Sequence, residues 1–213
     1  MSNTSLVIGS TGLVGKKLLF ELAKKDSKVI AITRRFISNL PENVSLVNIN
    51  FDNFLVNGSL PSCDHIFICL GTTIKKAGSQ TEFKKVDFDY CLSFAKKARE
   101  AGATKISLIS SVGASPYVNN FYLKTKGEIE EEIKKIDFQV INILRPSLLL
   151  GRRDESRFLE KIGQNLSSFI NLFLIGRLRK YRSVKASNVA YFMANYEQNV
   201  GIRYLYYDDF HSV

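Results

Sequence analysis

Short apolar runs alternate with longer amphipathic segments through roughly the first 150 residues of this chain, and that alternation is the strongest constraint on its fold. The runs Ser5 to Gly9, Lys28 to Thr33, Val44 to Ile49, His65 to Leu70, Lys105 to Ser110 and Phe138 to Leu144 are rich in Val, Ile, Leu and Phe. Their near-continuous hydrophobicity is that of strands covered on both faces. Helix candidates lie between them at Gly12 to Lys25, Glu82 to Ala101 and Phe121 to Lys135, whereas Phe51 to Pro61 reads as irregular or only briefly helical. Repeated βαβ units predict an α/β class: a doubly wound, mainly parallel sheet of six strands with helices on both faces. After Arg145-Pro146 the alternation weakens into a helix candidate, Glu155 to Phe169, then a basic stretch, a helix beginning near Ser187 and a terminal strand over Arg203 to Tyr207. We expect one domain over residues 1–213, with 146–213 forming a small cap on the substrate side.

Gly9-Ser10-Thr11-Gly12-Leu13-Val14-Gly15 follows the first strand directly and opens the first helix, the context a dinucleotide-binding loop requires. Gly9 would make the tight turn, Gly12 would let backbone N–H groups approach a pyrophosphate, and Gly15 would allow close packing of helix on strand. The anion would then sit at a helix N-terminus. At the end of the second strand, where an acidic residue would accept the ribose hydroxyls of NAD, the chain has Thr33-Arg34-Arg35. Two guanidiniums there would clamp a 2′-phosphate, so NADP(H) is the expected cofactor, with Asp52 as an adenine-side contact.

Hydride chemistry also needs a group that exchanges a proton with a carbonyl or hydroxyl, and Tyr122 with Lys126 supplies a pair on one helix face. An ammonium beside a phenol favours the phenolate. Tyr181 and Lys185 share the same spacing, so spacing alone does not identify the site. Tyr122, however, begins a helix after a strand that ends in Ser110-Ser111. Ser111, Tyr122 and Lys126 are therefore the predicted catalytic set, with Ser111 preferred to Ser110.

These motifs resemble the short-chain dehydrogenase/reductase superfamily, in its atypical, Tat-interacting-oxidoreductase-like branch of NAD(P)-binding Rossmann proteins. The likeness rests on Gly9 to Gly15, Arg34-Arg35, Cys69-Leu70-Gly71-Thr72-Thr73 with Ala77-Gly78, Val86-Asp87 and Ser110-Ser111. It continues through Tyr122 to Glu128, Leu144-Arg145-Pro146 and Glu155-Ser156-Arg157. The resemblance implies cofactor contacts from Thr11, Gly12, Leu13, Val14, Arg34, Arg35, Leu70, Gly71, Tyr122, Lys126, Leu149 and Arg157. It also implies an oxidoreductase acting on an unidentified small-molecule carbonyl or alcohol. The alternatives are an NADPH-sensing regulator that engages a protein partner, and an enzyme like the nucleotide-sugar epimerases, for which the segment after Pro146 is short.

Composition narrows the remaining classes. A net charge of +10 favours anionic partners, but its densest cluster, Arg177, Arg179, Lys180, Arg182 and Lys185, lies in no recognisable nucleic-acid module, which argues against nucleic acid. Three unpaired-looking cysteines and two histidines suggest neither a disulfide framework nor a metal site. No apolar run reaches transmembrane length, and Met1 to Ser5 lacks the features of a secretory signal, so a cytoplasmic location is expected.

Overall fold

The computed structural model describes residues 3–25, 28–151, 174–196 and 199–211 of the 213-residue chain. β1 (Thr4–Ile8) leads through the glycine loop into α1 (Gly15–Ala23), followed by β2 (Lys28–Thr33) and β3 (Val44–Asn48). α2 (Phe51–Asn57) precedes β4 (His65–Ile68), and the short helices α3 (Ile74–Ala77) and α4 (Gln80–Lys84) follow it. A π-helical segment, Lys85–Tyr90, joins α4 to α5 (Cys91–Glu100). Then come β5 (Lys105–Ile109), α6 (Phe121–Lys134), β6 (Val140–Leu144) and β7 (Leu149–Leu150). A 3-10 helix (Gly176–Tyr181), β8 (Val184–Lys185), α7 (Ala186–Asn195) and β9 (Gly201–Leu205) complete the regular elements described here, before a last 3-10 turn at Asp209–His211.

Seven strands form one parallel sheet in the order β3-β2-β1-β4-β5-β6-β9. The order reverses between β1 and β4, and a crevice at the carboxyl ends of such a pair is where doubly wound sheets bind ligands. Alternation of side chains along each strand builds two cores. Leu6, Ile8, Ile66 and Ile68 face Phe54, Phe94, Ile129 and Ile133 of α2, α5 and α6. Val7, Val29, Ala31 and Phe67 face Leu18 and Leu22 of α1 and Val189, Phe192 and Met193 of α7. Phe94 anchors the first core, with its ring 4.9 Å from that of Phe51 and stacked 4.3 Å from that of Phe54.

Three expectations change in detail. Phe51 to Asn57 is a regular helix because the Asn50 side chain caps it, accepting from Asp52 N–H at 2.9 Å and Asn53 N–H at 3.1 Å. The single helix expected over Glu82 to Ala101 is interrupted by the π-helical segment, a feature that often accompanies functional sites. Of the expected C-terminal cap, the helix candidate Glu155 to Phe169 lies outside the described residues. α7 and β9 join the main layers: the apolar stripe of α7 packs beside α1, and β9 adds a seventh parallel strand next to β6. Leu149 and Leu150 pair with Val184 and Lys185 in a separate two-stranded ladder.

Candidate functional site

The glycine loop sits at the switch point. Gly9 adopts φ +79°, and a Cβ there would lie 2.5 Å from the Cys69 carbonyl carbon and 2.6 Å from Leu70 N, so the loop passes directly against the end of β4. A Cβ on Gly15 would meet the Gly9 carbonyl oxygen at 2.3 Å, which shows that α1 starts pressed onto the loop. Gly12 N–H closes the turn on Gly9 O at 2.9 Å. The buried Ser10 hydroxyl donates to Ile32 O at 3.3 Å, tying the loop to β2. α1 has no side-chain cap at Val14 and no acid in its first turn, so its leading N–H groups and positive dipole end are presented to an anion. A diphosphate approached through glycine backbone fits this cradle. Thr11 is exposed, whereas Val14 is buried and would contribute only its backbone.

On the β2 side, Arg34 and Arg35 are both exposed, and the Arg34 guanidinium lies 5.2 Å over the Phe51 ring. Thr33 Oγ1 accepts from Arg35 N–H at 3.1 Å and donates to Arg35 O at 2.9 Å, which fixes the turn that projects the two arginines. Arg34, Asn48, Ile49, Asn50, Phe51, Asp52 and Tyr90 line a cleft of about 330 Å³. Asp52 stands at its edge already engaged: Lys85 Nζ is 2.6 Å away and Tyr90 donates its hydroxyl proton at 2.7 Å. The hydrogen bond from Lys85, then that from Tyr90, holds the Asp52 carboxyl below the usual carboxylate range.

The other arm runs from β4 to α6. Lys126 is almost fully buried, and its Nζ lies 2.8 Å from Asp87 Oδ1, an ion pair without hydrogen-bond alignment, and donates to Ile109 O at 3.4 Å. Asp87, fully buried in the π-helical segment, accepts Thr72 N–H at 2.9 Å. A Cβ on Gly71 would come within 3.9 Å of Lys126 Nζ. A continuous path therefore leads from Gly9 past Cys69 and Leu70 to Gly71 and the Lys126 ammonium. Burial alone would pull Lys126 down, but Asp87, with help from Tyr122 and Cys91, outweighs it and holds the group above the ordinary lysine range. Tyr122, one turn earlier on α6, is half-buried with its ring 5.6 Å from that of Phe83.

Ser110 and Ser111 have different environments. Ser110 is buried and donates to Glu130, which is paired with Arg145. Arg145 donates to Tyr206 Oη at 3.0 Å and lies 4.3 Å over the Tyr204 ring. Ser111 is only half-buried and donates weakly to Val112 O at 3.4 Å, leaving its hydroxyl free to turn toward a ligand. The loop after Ser111 folds back on α6: Ser115 N–H donates to Leu123 O at 3.2 Å, and a Cβ on Gly127 would lie 2.2 Å from Ser115 C.

The structure brings Gly9 to Gly15, Leu70, Gly71 and Lys126 along one edge. The Leu70 side chain belongs to the core, so only its backbone lines that path. Leu149 is half-buried against the α1-side core, which Leu13 also flanks. Arg157 lies outside the described residues. Tyr181 ends the 3-10 helix and Lys185 lies in β8, so their spacing places them on no common helix face. The Val86-Asp87 motif by itself assigns Asp87 no role. Its signal was a carboxylate within the apolar stripe Phe83, Tyr90, Phe94, and Glu130 carries the same signal beside Ile129 and Ile133.

A parallel sheet with a glycine cradle at its switch point and a buried lysine at the adjoining strand ends defines a nicotinamide-dinucleotide-binding α/β protein. Residues 5–184 match the NAD dependent epimerase/dehydratase family, and the chain belongs to it. It is 36% identical over 169 residues to the protein FMP52, mitochondrial, of Lodderomyces elongisporus, covering 74% of this chain and 71% of that one. To the rat protein HTATIP2 it is 37% identical over 164 residues, covering 74% and 67%. A putative NAD-dependent epimerase/dehydratase from Bacillus halodurans shares the fold at TM-score 0.66 and 21% identity, covering 94% of this chain and 92% of that one. The human epimerase family protein SDR39U1, solved with NADPH, does so at TM-score 0.64 and 17% identity, covering 95% and 74%. The resemblance read from the motifs is thereby borne out. The cytoplasmic location is not: FMP52 relatives from several fungi are named mitochondrial. The features on which that expectation rested concern secretion and membrane spans and do not bear on mitochondrial targeting. Among the described residues no helix is long and apolar enough to cross a membrane.

Proposed function

We propose that the chain is an NADP(H)-dependent oxidoreductase of the atypical short-chain type, acting on a small carbonyl or alcohol. The observation that carries this reading is Lys126, buried one turn from Tyr122 and beside Gly71, at the far end of a path that starts on the glycine loop. The bound nicotinamide would supply or accept the hydride. In the reducing direction, Ser111 holds the substrate oxygen by its hydroxyl, Tyr122 gives that oxygen its proton, and Lys126 holds a positive charge near the phenolate left behind. Oxidation reverses the proton transfer. Arg34 and Arg35 favour a 2′-phosphate where a carboxylate would repel it, and both NAD and NADPH are named with structures of this fold.

Titration of NADPH and NADH on wild type and Arg34→Ala/Arg35→Ala tests the cofactor: wild type prefers NADPH, and the variant loses that preference. Equal affinities in wild type would refute the phosphate clamp. In a carbonyl screen followed by NADPH absorbance, Tyr122→Phe abolishes turnover while Tyr181→Phe retains it; the reverse would displace the site. A second reading, an NADPH sensor with little turnover, is favoured by one observation. Asp87 lies against the charge that Lys126 would otherwise direct at Tyr122. A sensor would show an NADPH-induced rise in Tm with no substrate turnover.

A further inference from the structure

The basic stretch after residue 174 serves no role in the site described above, and its local geometry gives it one. A 3-10 helix has three residues per turn, so residues three apart eclipse one another. Over Gly176–Tyr181 and its flanks this period sorts the side chains into three rows. Ile175, Leu178 and Tyr181 form one row and are 68%, 51% and 44% exposed. Arg177 and Lys180 form the second, exposed row, with Lys180 Nζ 5.3 Å over the Tyr181 ring. The third row, Arg179 and Arg182, makes the polar contacts that hold the segment in place. Arg179 pairs with Asp208 at 2.7 Å, and Arg182 donates to Leu174 O at 2.7 Å.

The segment is thus held by these contacts and presents an exposed apolar ridge about 12 Å long edged by cations. Leu148, 61% exposed, lies beside the chain that leaves the ridge: its O accepts Val184 N–H at 3.0 Å, and Ser147 bonds to Arg182 O. A ridge of this kind is poor at filling a groove. Its apolar crest, interfacial tyrosine and flanking Arg and Lys match the boundary between acyl chains and anionic headgroups. The net charge of +10 gives the same electrostatic preference at longer range. From these observations we infer that Ile175, Leu178 and Tyr181, flanked by Arg177 and Lys180, dock the protein onto an anionic lipid bilayer. The ridge follows β6 in sequence, and Arg179 ties it to the turn after β9. Docking therefore brings the carboxyl edge of the sheet, with the glycine loop, to the membrane side.

Co-sedimentation with vesicles of phosphatidylcholine alone, or with 30% phosphatidylglycerol by composition, tests this directly. Wild type partitions onto the anionic vesicles and is released by high salt. Arg177→Gln/Lys180→Gln weakens partitioning about thirtyfold, from the usual contribution of a cation near an anionic surface. Ile175→Ser/Leu178→Ser/Tyr181→Ser weakens it at least about tenfold even at low salt. Both variants keep the wild-type Tm and NADPH response, because the mutated side chains are exposed. Equal binding to neutral and anionic vesicles, wild-type partitioning by either variant, or no binding by wild type would each overturn the proposal. So would a wild-type chain whose ridge residues instead drive self-association in the absence of lipid.

Discussion

Asp87→Asn isolates the charge that holds Lys126, because an asparagine oxygen still accepts the Thr72 N–H that Asp87 now receives at 2.9 Å. The Lys126 side chain is 4% exposed and that of Asp87 0%, so the variant leaves a buried ammonium with no counter-ion. Removing one partner of a buried pair costs about 3–5 kcal/mol, which is the deficit expected from urea unfolding at pH 7. The deficit also depends on pH. In the wild type the folded Lys126 pKa lies above its unfolded value, so its stabilisation is intact below the unfolded pKa and is lost only as pH rises through the folded one. In the variant burial is opposed only by Tyr122 and Cys91, and it should pull the folded pKa below the unfolded one. There the penalty falls as pH rises, by at most about 1.4 kcal/mol per pH unit. Between pH 7 and 9 the gap between variant and wild type should narrow by up to about 2.7 kcal/mol. Asp87→Asn/Lys126→Met should recover most of the loss. A deficit below about 1 kcal/mol, or one unchanged between pH 7 and 9, would refute the buried pairing.

Gly15→Ala drives a methyl to within 2.3 Å of the Gly9 carbonyl oxygen, so it should abolish the NADPH-induced rise in Tm and lower the Tm itself. Phe94→Ala removes the ring stacked on Phe54 and should cost about 3–5 kcal/mol in chemical unfolding without changing the ratio of NADPH to NADH affinity. Burial pushes the Cys63 thiol up to about 11 and the Cys91 thiol up to about 12. Iodoacetamide at pH 8 should therefore spare both in the native protein and label them on unfolding, as read by mass spectrometry.

The strands were legible because burial on both faces leaves an unbroken apolar run, and all six expected runs became parallel strands within a residue or two. The glycine loop was equally plain, since its meaning depends only on a strand before it and a helix after it. What sequence could not supply was partnership. The sequence places Asp52 as an adenine-side contact, but its engagement with Lys85 and Tyr90 depends on α2 and the π-helical segment meeting in space. Asp87 and Glu130 interrupt apolar stripes, but which cations neutralise them is fixed by tertiary packing. The terminal strand was visible at Arg203 to Tyr207, yet its place beside β6 could not be read from local pattern. Tyr181 and Lys185 show the opposite case, a correct spacing in the wrong local structure.

The polar stripe on α6 suits this helix to the proton-transfer role proposed for it. Tyr122, Lys126 and Glu130 follow one another at four-residue intervals, so they share a face that an ordinary amphipathic helix would fill with apolar side chains. Two of the three are buried charges of opposite sign, each paired to a different element: Lys126 to Asp87 before α5, and Glu130 to Arg145 after β6. Buried pairs of this kind are seldom more stabilising than apolar packing of the same volume. Their value here is directional. Each pair fixes α6 against a different neighbour, and together they restrain both its rotation and its height relative to β5. The Ser111–Asn120 loop pins the start of the same helix through Leu123 and Gly127. Tyr122 thus stands in the first turn of a helix clamped along its length. The proposed proton donor, which would have to meet a substrate oxygen held by Ser111, requires that fixity.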